Sequence, residues 1–387
     1  MADREKSSFS IKIFLKGVLM TDQRVARLAK VLVQYSMGIQ PGWKMINSTT
    51  PLGEELALAV YVEALKAGAH VINEIELPGA EEAFYKYSSD DQLDWISPAR
   101  RLIIETFDAS LFIEAPDNTR SLSGIAPGRM ARTRKSHAAI SRLFLERAVR
   151  GEMHWCITAF PTQAAAQEAD MSLADYQDFV YKAELVDLDN PVAAWQAERE
   201  HQLKAVNWLA GKDKVVLRGD NIDLSFSIKR RTFEPCAGEC NFPDGEIFTG
   251  PVEDSAEGWV RFRYPAIYEG QEVTDVELRF ENGRCVQEKA SKGQGLLTTL
   301  LDSDAGARCL GEWGIGTNYG IQRFTKNMLF DEKMGGTIHL ALGAGYPETG
   351  SVNDSGIHWD MLCDMAQSEV RVDGELFYKD GKILVGG

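Results

Sequence analysis

The stretch SGIHWDMLCD, residues 355–364, sets two chemically capable side chains, His358 and Asp360, on either side of a tryptophan. Residues two apart in a strand point to the same face. The imidazole and the carboxylate would then project together, with Trp359 on the other face. Such a pair can bind a metal ion, work as a catalytic couple or make a plain hydrogen bond.

Three further stretches carry metal-ligand residue types among glycines. NFPDGEIFTGPVEDS carries Glu246, then Glu253 and Asp254. RCLGEWGIGTNYG carries Glu312 between Gly311 and Gly314. GGTIHLALGAGY carries His339 and, after it, Tyr346. Each has a bland reading by itself. Glu246 reads as a surface turn residue and His339 as a satisfied histidine on a strand. Glu312 is less comfortable in so weakly polar a stretch unless something binds it. As a set, two glutamates, two histidines and an aspartate suit borderline-hard ions such as Zn, Co or Mn. A catalytic zinc usually takes three protein ligands. The larger set suits two ions bridged by a carboxylate and a water, an arrangement that activates the water and stabilises oxyanions during hydrolysis.

The elements that must position these residues fall into two kinds. Up to about residue 171, strand-like runs (GWKMIN, HVINEIEL, ASLFIEAP, HWCITAFP) alternate with helical patterns such as DQRVARLAKVLVQYS, PLGEELALAVYVEALKAGA and SHAAISRLFLERAVRGE. That rhythm predicts a wound, mostly parallel sheet. A charged helical stretch follows, and from about Lys214 short strand-like runs are separated by Gly, Asn and Asp turns. ENGR, residues 281–284, is a hairpin signal. The expected fold class is α/β: an N-terminal wound α/β domain over 1–212 and a β-rich α+β metal-binding domain over 213–387.

With 387 residues, two domains are the default. A net charge of −15 disfavours nucleic acid and anionic membrane as partners. Cys236 and Cys240 lack the second pair a zinc ribbon needs, and the six cysteines read as reduced thiols. The apolar stretch over residues 9–20 is interrupted by Lys12 and Lys16 and reads as a poor signal peptide, so the expected location is cytoplasmic. GIGTNYG does not open a βαβ unit and is not read as a nucleotide loop. The basic run RMARTRKSH, residues 129–137, reads as a solvated helix start.

At PDGEIFTGP, LGEWGIGTN, FDEKMGGTIHLALGAGYPETG and SGIHWDMLCD the chain resembles the aminopeptidase T/S family of thermophilic-type metalloaminopeptidases; the N-terminal half is similar more loosely. The resemblance implies that Glu246, Glu312, His339, Tyr346, His358 and Asp360 are metal ligands for two divalent ions. It implies peptide substrates with a free N-terminus, and a homodimer whose N-terminal domains help to close a cavity. Tyr346 would bind metal or donate to the oxyanion. The proton shuttle stays open, with Glu253 and Glu332 as candidates. Wider relatives of the family include ring-cleaving dioxygenases with one iron on a two-His-one-carboxylate triad, for which His339, His358 and Asp360 would suffice. A metal-binding protein without catalysis is the third possibility.

Overall fold

The computed structural model describes residues 22–268 and 270–385. The apolar stretch over residues 9–20 lies outside them.

In the N-terminal half, strands β1 (Lys44–Thr49), β2 (His70–Ile75), β3 (Ala109–Glu114) and β4 (His154–Ala159) alternate with helices. The punctuation seen in the sequence is used as expected. Thr50 Oγ1 accepts from the Leu52 amide beside Pro51, Glu54 and Glu55 occupy the first turn of the helix Glu54–Lys66, and Gly68 follows it at φ 86°. The short helices Ala80–Tyr87 and Asp90–Asp94 were not legible as apolar periodicity, because between them they bury only Leu93. A Ser89–Gln92 capping box holds the second.

The C-terminal half supplies β5 (Lys214–Arg218), β6 (Ile222–Ser227), β7 (Glu234–Cys236), β8 (Asn241–Phe242), β9 (Glu246–Thr249), β10 (Glu257–Arg261), β11 (Ala266–Tyr268), β12 (Gln271–Val273), β13 (Glu277–Glu281), β14 (Arg284–Lys289), β15 (Leu310–Gly316), β16 (Thr337–Gly343), β17 (His358–Asp364), β18 (Glu369–Val372), β19 (Glu375–Lys379) and β20 (Lys382–Ile383). An eight-stranded sheet of order β14-β13-β10-β6-β5-β18-β19-β20 packs on a five-stranded one of order β17-β16-β15-β9-β7. Asn282 and Gly283, both at positive φ, turn β13 into β14 where the ENGR signal lies. Leu217, Leu224, Phe226 and Val260 from one sheet meet Ile247, Trp313, Ile338 and Trp359 from the other.

The parallel sheet has the order β2-β1-β3-β4-β8. The chain runs outward from β1 to β2, then crosses back to β3 on the other side of β1, so the strand order reverses between β1 and β3. Its last strand, β8, comes from the C-terminal half and pairs with β4 through Ile157↔Asn241 and Thr158↔Phe242. Ile321, Phe330, Met334 and Leu362 also join the apolar cluster around this sheet. The basic run forms the first turns of the helix Pro127–Val149 and is partnered: Arg129 donates to the Tyr85 carbonyl, and Arg132 pairs with Asp90 and Asp94.

Candidate metal centre

The five-stranded sheet sorts its residues by alternation. Ile247, Trp313, Ile315, Ile338, Leu340, Trp359 and Met361 enter the core between the two antiparallel sheets. The intervening residues Glu246, Glu312, His339, His358 and Asp360 therefore share the opposite face. Each stands across from a small residue: Glu246 from Gly316, Glu312 and Asp360 from Ala341, His339 from Gly314, and His358 from Gly343. A Cβ on Gly314 would lie 2.0 Å from the His339 ring. Glycine at that position is what lets the imidazole lie across β15.

Glu312 sits at the centre. Its Oε1 is 3.2 Å from His339 Nε2 and its Oε2 is 3.2 Å from His358 Nε2. His339 Nε2 is also 3.3 Å from Glu246 Oε2, and His358 Nε2 is 3.5 Å from Asp360 Oδ2. Two sets of potential ligands result, Glu246–Glu312–His339 and Glu312–His358–Asp360, each with its ligand atoms within 4.8 Å of one another. Glu312 belongs to both. The far ring nitrogens face backbone carbonyls: His339 Nδ1 is 3.2 Å from Glu332 O and His358 Nδ1 is 2.8 Å from Ala344 O. A carbonyl only accepts, so each Nδ1 carries the proton, and each Nε2 is directed at the carboxylates.

These groups are buried, and the charge balance without a cation is poor. Burial pushes Glu246 up to about 8, even though Lys333 pulls against it. Burial would also raise Asp360, but the neighbouring His358, His339 and Lys333 outweigh it and bring the carboxyl down to about 2. Burial opposes charge on the imidazoles, yet the facing carboxylates lift His339 to about 10 and His358 to about 12. The buried oxygens Glu246 Oε2 and Asp360 Oδ1 make no hydrogen bond. Buried, unsatisfied carboxylate oxygens are costly. Divalent cations at the two sets would give those oxygens a partner and replace the extra imidazole protons, so the residues fit the metals their types suggested.

The other sequence candidates fall at different distances from the cluster. Tyr346 packs edge-on against His358 and Phe248, with ring centroids 5.1 and 5.2 Å apart, and is 40% exposed. Glu253 is engaged elsewhere. It pairs with Arg231 at 2.5 Å and accepts from the Val352 amide at 2.8 Å and Ser351 Oγ at 3.2 Å. Glu332 lies beside the cluster, 2.6 Å from Lys333 Nζ. Glu246 is not a surface turn residue: it lies in β9 and is 5% exposed.

Sequence reading missed Lys333 and Asp244. The Lys333 ammonium is almost wholly buried and bonds Glu246 Oε1, 3.6 Å from Asp244 Oδ1. The available signal was the triplet Asp331-Glu332-Lys333 running into Gly335 and Gly336, a charged run where an apolar one would otherwise bury.

A cavity of about 960 Å³ opens at the C-terminal ends of β1 and β3, where the strand order reverses. Thr50, Glu114, Phe160, Arg120, Lys326 and Met328 are among the residues lining it. Met328 begins the short helix Met328–Asp331, which runs directly into Glu332 and Lys333.

The family model described as Thermophilic metalloprotease (M29) matches residues 21–383. Aminopeptidase 2 of Geobacillus stearothermophilus is 27% identical over 406 residues, spanning 93% of this chain and 95% of that protein. Aminopeptidase T of Thermus thermophilus is 25% identical over 401 residues, spanning 93% and 96%. The solved structure of wild-type AmpT from Thermus thermophilus is similar with a TM-score of 0.80 at 23% identity, covering 94% of this chain and 99% of that one. That of 2,5-dihydroxypyridine dioxygenase from Pseudomonas putida has a TM-score of 0.56 at 11% identity, covering 95% and 99%. At these identities the structural likenesses speak for the fold alone. The sequence match includes every residue of the carboxylate–histidine cluster, and the chain belongs to the thermophilic metalloprotease family M29, a family of metal-dependent hydrolases of peptide bonds.

Proposed function

We propose that this protein is an aminopeptidase that removes the N-terminal residue of peptides, with two divalent ions (Zn, Co or Mn) held by Glu246, Glu312, His339, His358 and Asp360, and with Tyr346 as a further ligand or donor. The observation that carries this reading is the position of Glu312, whose two oxygens belong to two ligand sets. Charge supports it as well. Asp244, Glu246, Glu312, Glu332 and Asp360 stand against the single ammonium of Lys333, and two divalent ions would neutralise the remainder. A one-iron oxygenase site would leave Glu246 and Glu312 without a purpose.

When bound, such ions supply a water of lowered pKa and stabilise negative charge on the substrate carbonyl oxygen. The chain's own residues do the rest. His339 and His358 present Nε2 because backbone carbonyls hold Nδ1. Burial and the nearby Glu312 and Asp360 keep the Tyr346 hydroxyl protonated, so it is a donor available to the oxyanion. Glu332 accepts the proton of the attacking water and delivers it to the leaving amine. Glu253 is a poorer carrier. Burial would raise it, but the Val352 amide and Arg231 outweigh that and hold its carboxyl below the usual range. The catalytic chemistry belongs to residues 213–387, and the cavity formed with residues 1–212 receives the peptide chain. A homodimer in the cytoplasm completes the reading. The six cysteines are free, and among the described residues no helix is long and apolar enough to cross a membrane.

The test is reconstitution. Protein stripped by chelator is titrated with Co, Zn or Mn while release of free leucine from a leucyl dipeptide is followed. Activity that saturates near two ions per chain and is lost when the dipeptide is N-acetylated is expected. Saturation at a single iron, with oxygen uptake on an aromatic substrate and no peptide cleavage, would overturn the reading.

A further inference from the structure

A third group of ligand types adjoins the two around Glu312: Cys236, Asp244 and Glu246, again with ligand atoms within 4.8 Å of one another. Cys236 faces Glu246 across the β7–β9 pair. Asp244 is held by the amides of Gly238 at 2.9 Å and Gly245 at 3.0 Å. The Lys333 side chain, 1% exposed, ends against this group, bonding Glu246 Oε1, 3.6 Å from Asp244 Oδ1 and 2.6 Å from Glu332 Oε1. An ammonium offers three donors and no acceptor, and here it meets three carboxylates. Its backbone has little freedom. The Asn318 amide donates to Lys333 O at 3.0 Å, and a Cβ on Gly316 would stand 2.1 Å from Met334 O, so β15 lies directly against the 333–334 backbone.

We propose that Lys333 is a built-in cation that fills a third ligand set, Cys236–Asp244–Glu246, and so confines divalent ions to the two sets that share Glu312. The inference rests on the two-metal reading above. Its physical basis is that a fixed ammonium neutralises Asp244 and Glu246 without offering a coordination position. It repels a divalent ion from the thiol and directs Glu246 Oε2 towards His339. Removing the ammonium leaves two carboxylates and a thiol around a buried space. A divalent ion entering there binds the sulfur as thiolate and releases the thiol proton to solvent.

The experiment uses the full chain loaded with Co²⁺ after chelator stripping, with bound metal counted by elemental analysis. Wild type is expected to hold about two ions and to lack thiolate-to-cobalt absorption in the near ultraviolet. Lys333→Ala is expected to hold about three and to gain that absorption, and adding Cys236→Ser should remove the absorption again. A merely structural role for Lys333 would not create a sulfur–cobalt signal. A folded Lys333→Ala protein with two ions and no absorption overturns the proposal. If the alanine variant does not fold, Lys333→Met, with a chain of similar length, carries the same test. If neither folds unaided, rescue by Co²⁺ with the absorption supports the proposal, and failure of Co²⁺ to rescue overturns it. Wild type that holds fewer than two ions and cleaves no peptide would refute the two-metal reading itself, whatever the variants do.

Discussion

Gly314 stands directly across the β15–β16 pair from His339, and the imidazole occupies the space a side chain at Gly314 would need. Gly314→Ala is therefore expected to displace the His339 ring while leaving the apolar face of the sheet intact. Misorienting one ligand typically weakens metal affinity by about 10–100-fold. Competition against a chelator of known affinity measures this, with far-UV circular dichroism as the folding control. Unchanged affinity would mean that His339 is not a ligand.

Glu312→Gln removes the charge that serves both ligand sets while keeping the shape. Loss of affinity at both sites and a fall in kcat/KM of more than about a hundredfold are expected. Glu246→Gln should weaken one site more than the other. Equal, small effects of the two substitutions would argue against a shared bridging carboxylate.

Glu253 and Glu332 separate by the kind of damage their loss causes. Glu253→Gln leaves Arg231, whose side chain is only 8% exposed, without its carboxylate partner and with only the Pro251 carbonyl to donate to. The expected result is a lower melting temperature, from a cost of about 2 kcal/mol or more, with kcat little changed. Glu332→Gln should lower kcat by about 10²-fold or more with metal still bound. The reverse pattern would return the proton-carrying role to Glu253.

The metal-free protein should respond to pH in a defined direction. His339 is lifted to about 10 and His358 to about 12. A histidine raised in the folded state stabilises it fully below its unfolded pKa of about 6.5. That contribution is lost as pH rises towards the folded values. Glu246, pushed up to about 8, acts in the same direction between about 4.5 and 8. The metal-free melting temperature should therefore fall as pH rises from 7 to 10, and the metal-loaded one should stay flatter. Ion uptake near pH 7 should release about two protons per chain or more, because both imidazoles must shed theirs. An indicator dye in weak buffer reads this, and uptake without proton release would contradict it.

Much of the candidate cluster was determined by the sequence alone, because alternation in a strand is a local property. The two-residue spacing of His358 and Asp360 put them on one face once the segment was extended, and Trp359 went to the core as the pattern required. GEWGIG and HLALG likewise showed large polar residues set among small ones, although that each candidate ligand faces a glycine or alanine depends on register between strands. Register, strand partners and buried charge pairs are long-range, and no local pattern encodes them. Only the tertiary structure therefore decided that Glu246 is a buried strand residue, that Arg231 engages Glu253, that β8 leaves the C-terminal half to join the parallel sheet, and that Lys333 turns inward. A lysine is expected in solvent unless carboxylates surround it, and besides its neighbour Glu332 the carboxylates around this one, Asp244 and Glu246, lie nearly ninety positions away. Burial of that charge became favourable only when β9, β15 and the helix Met328–Asp331 were brought together.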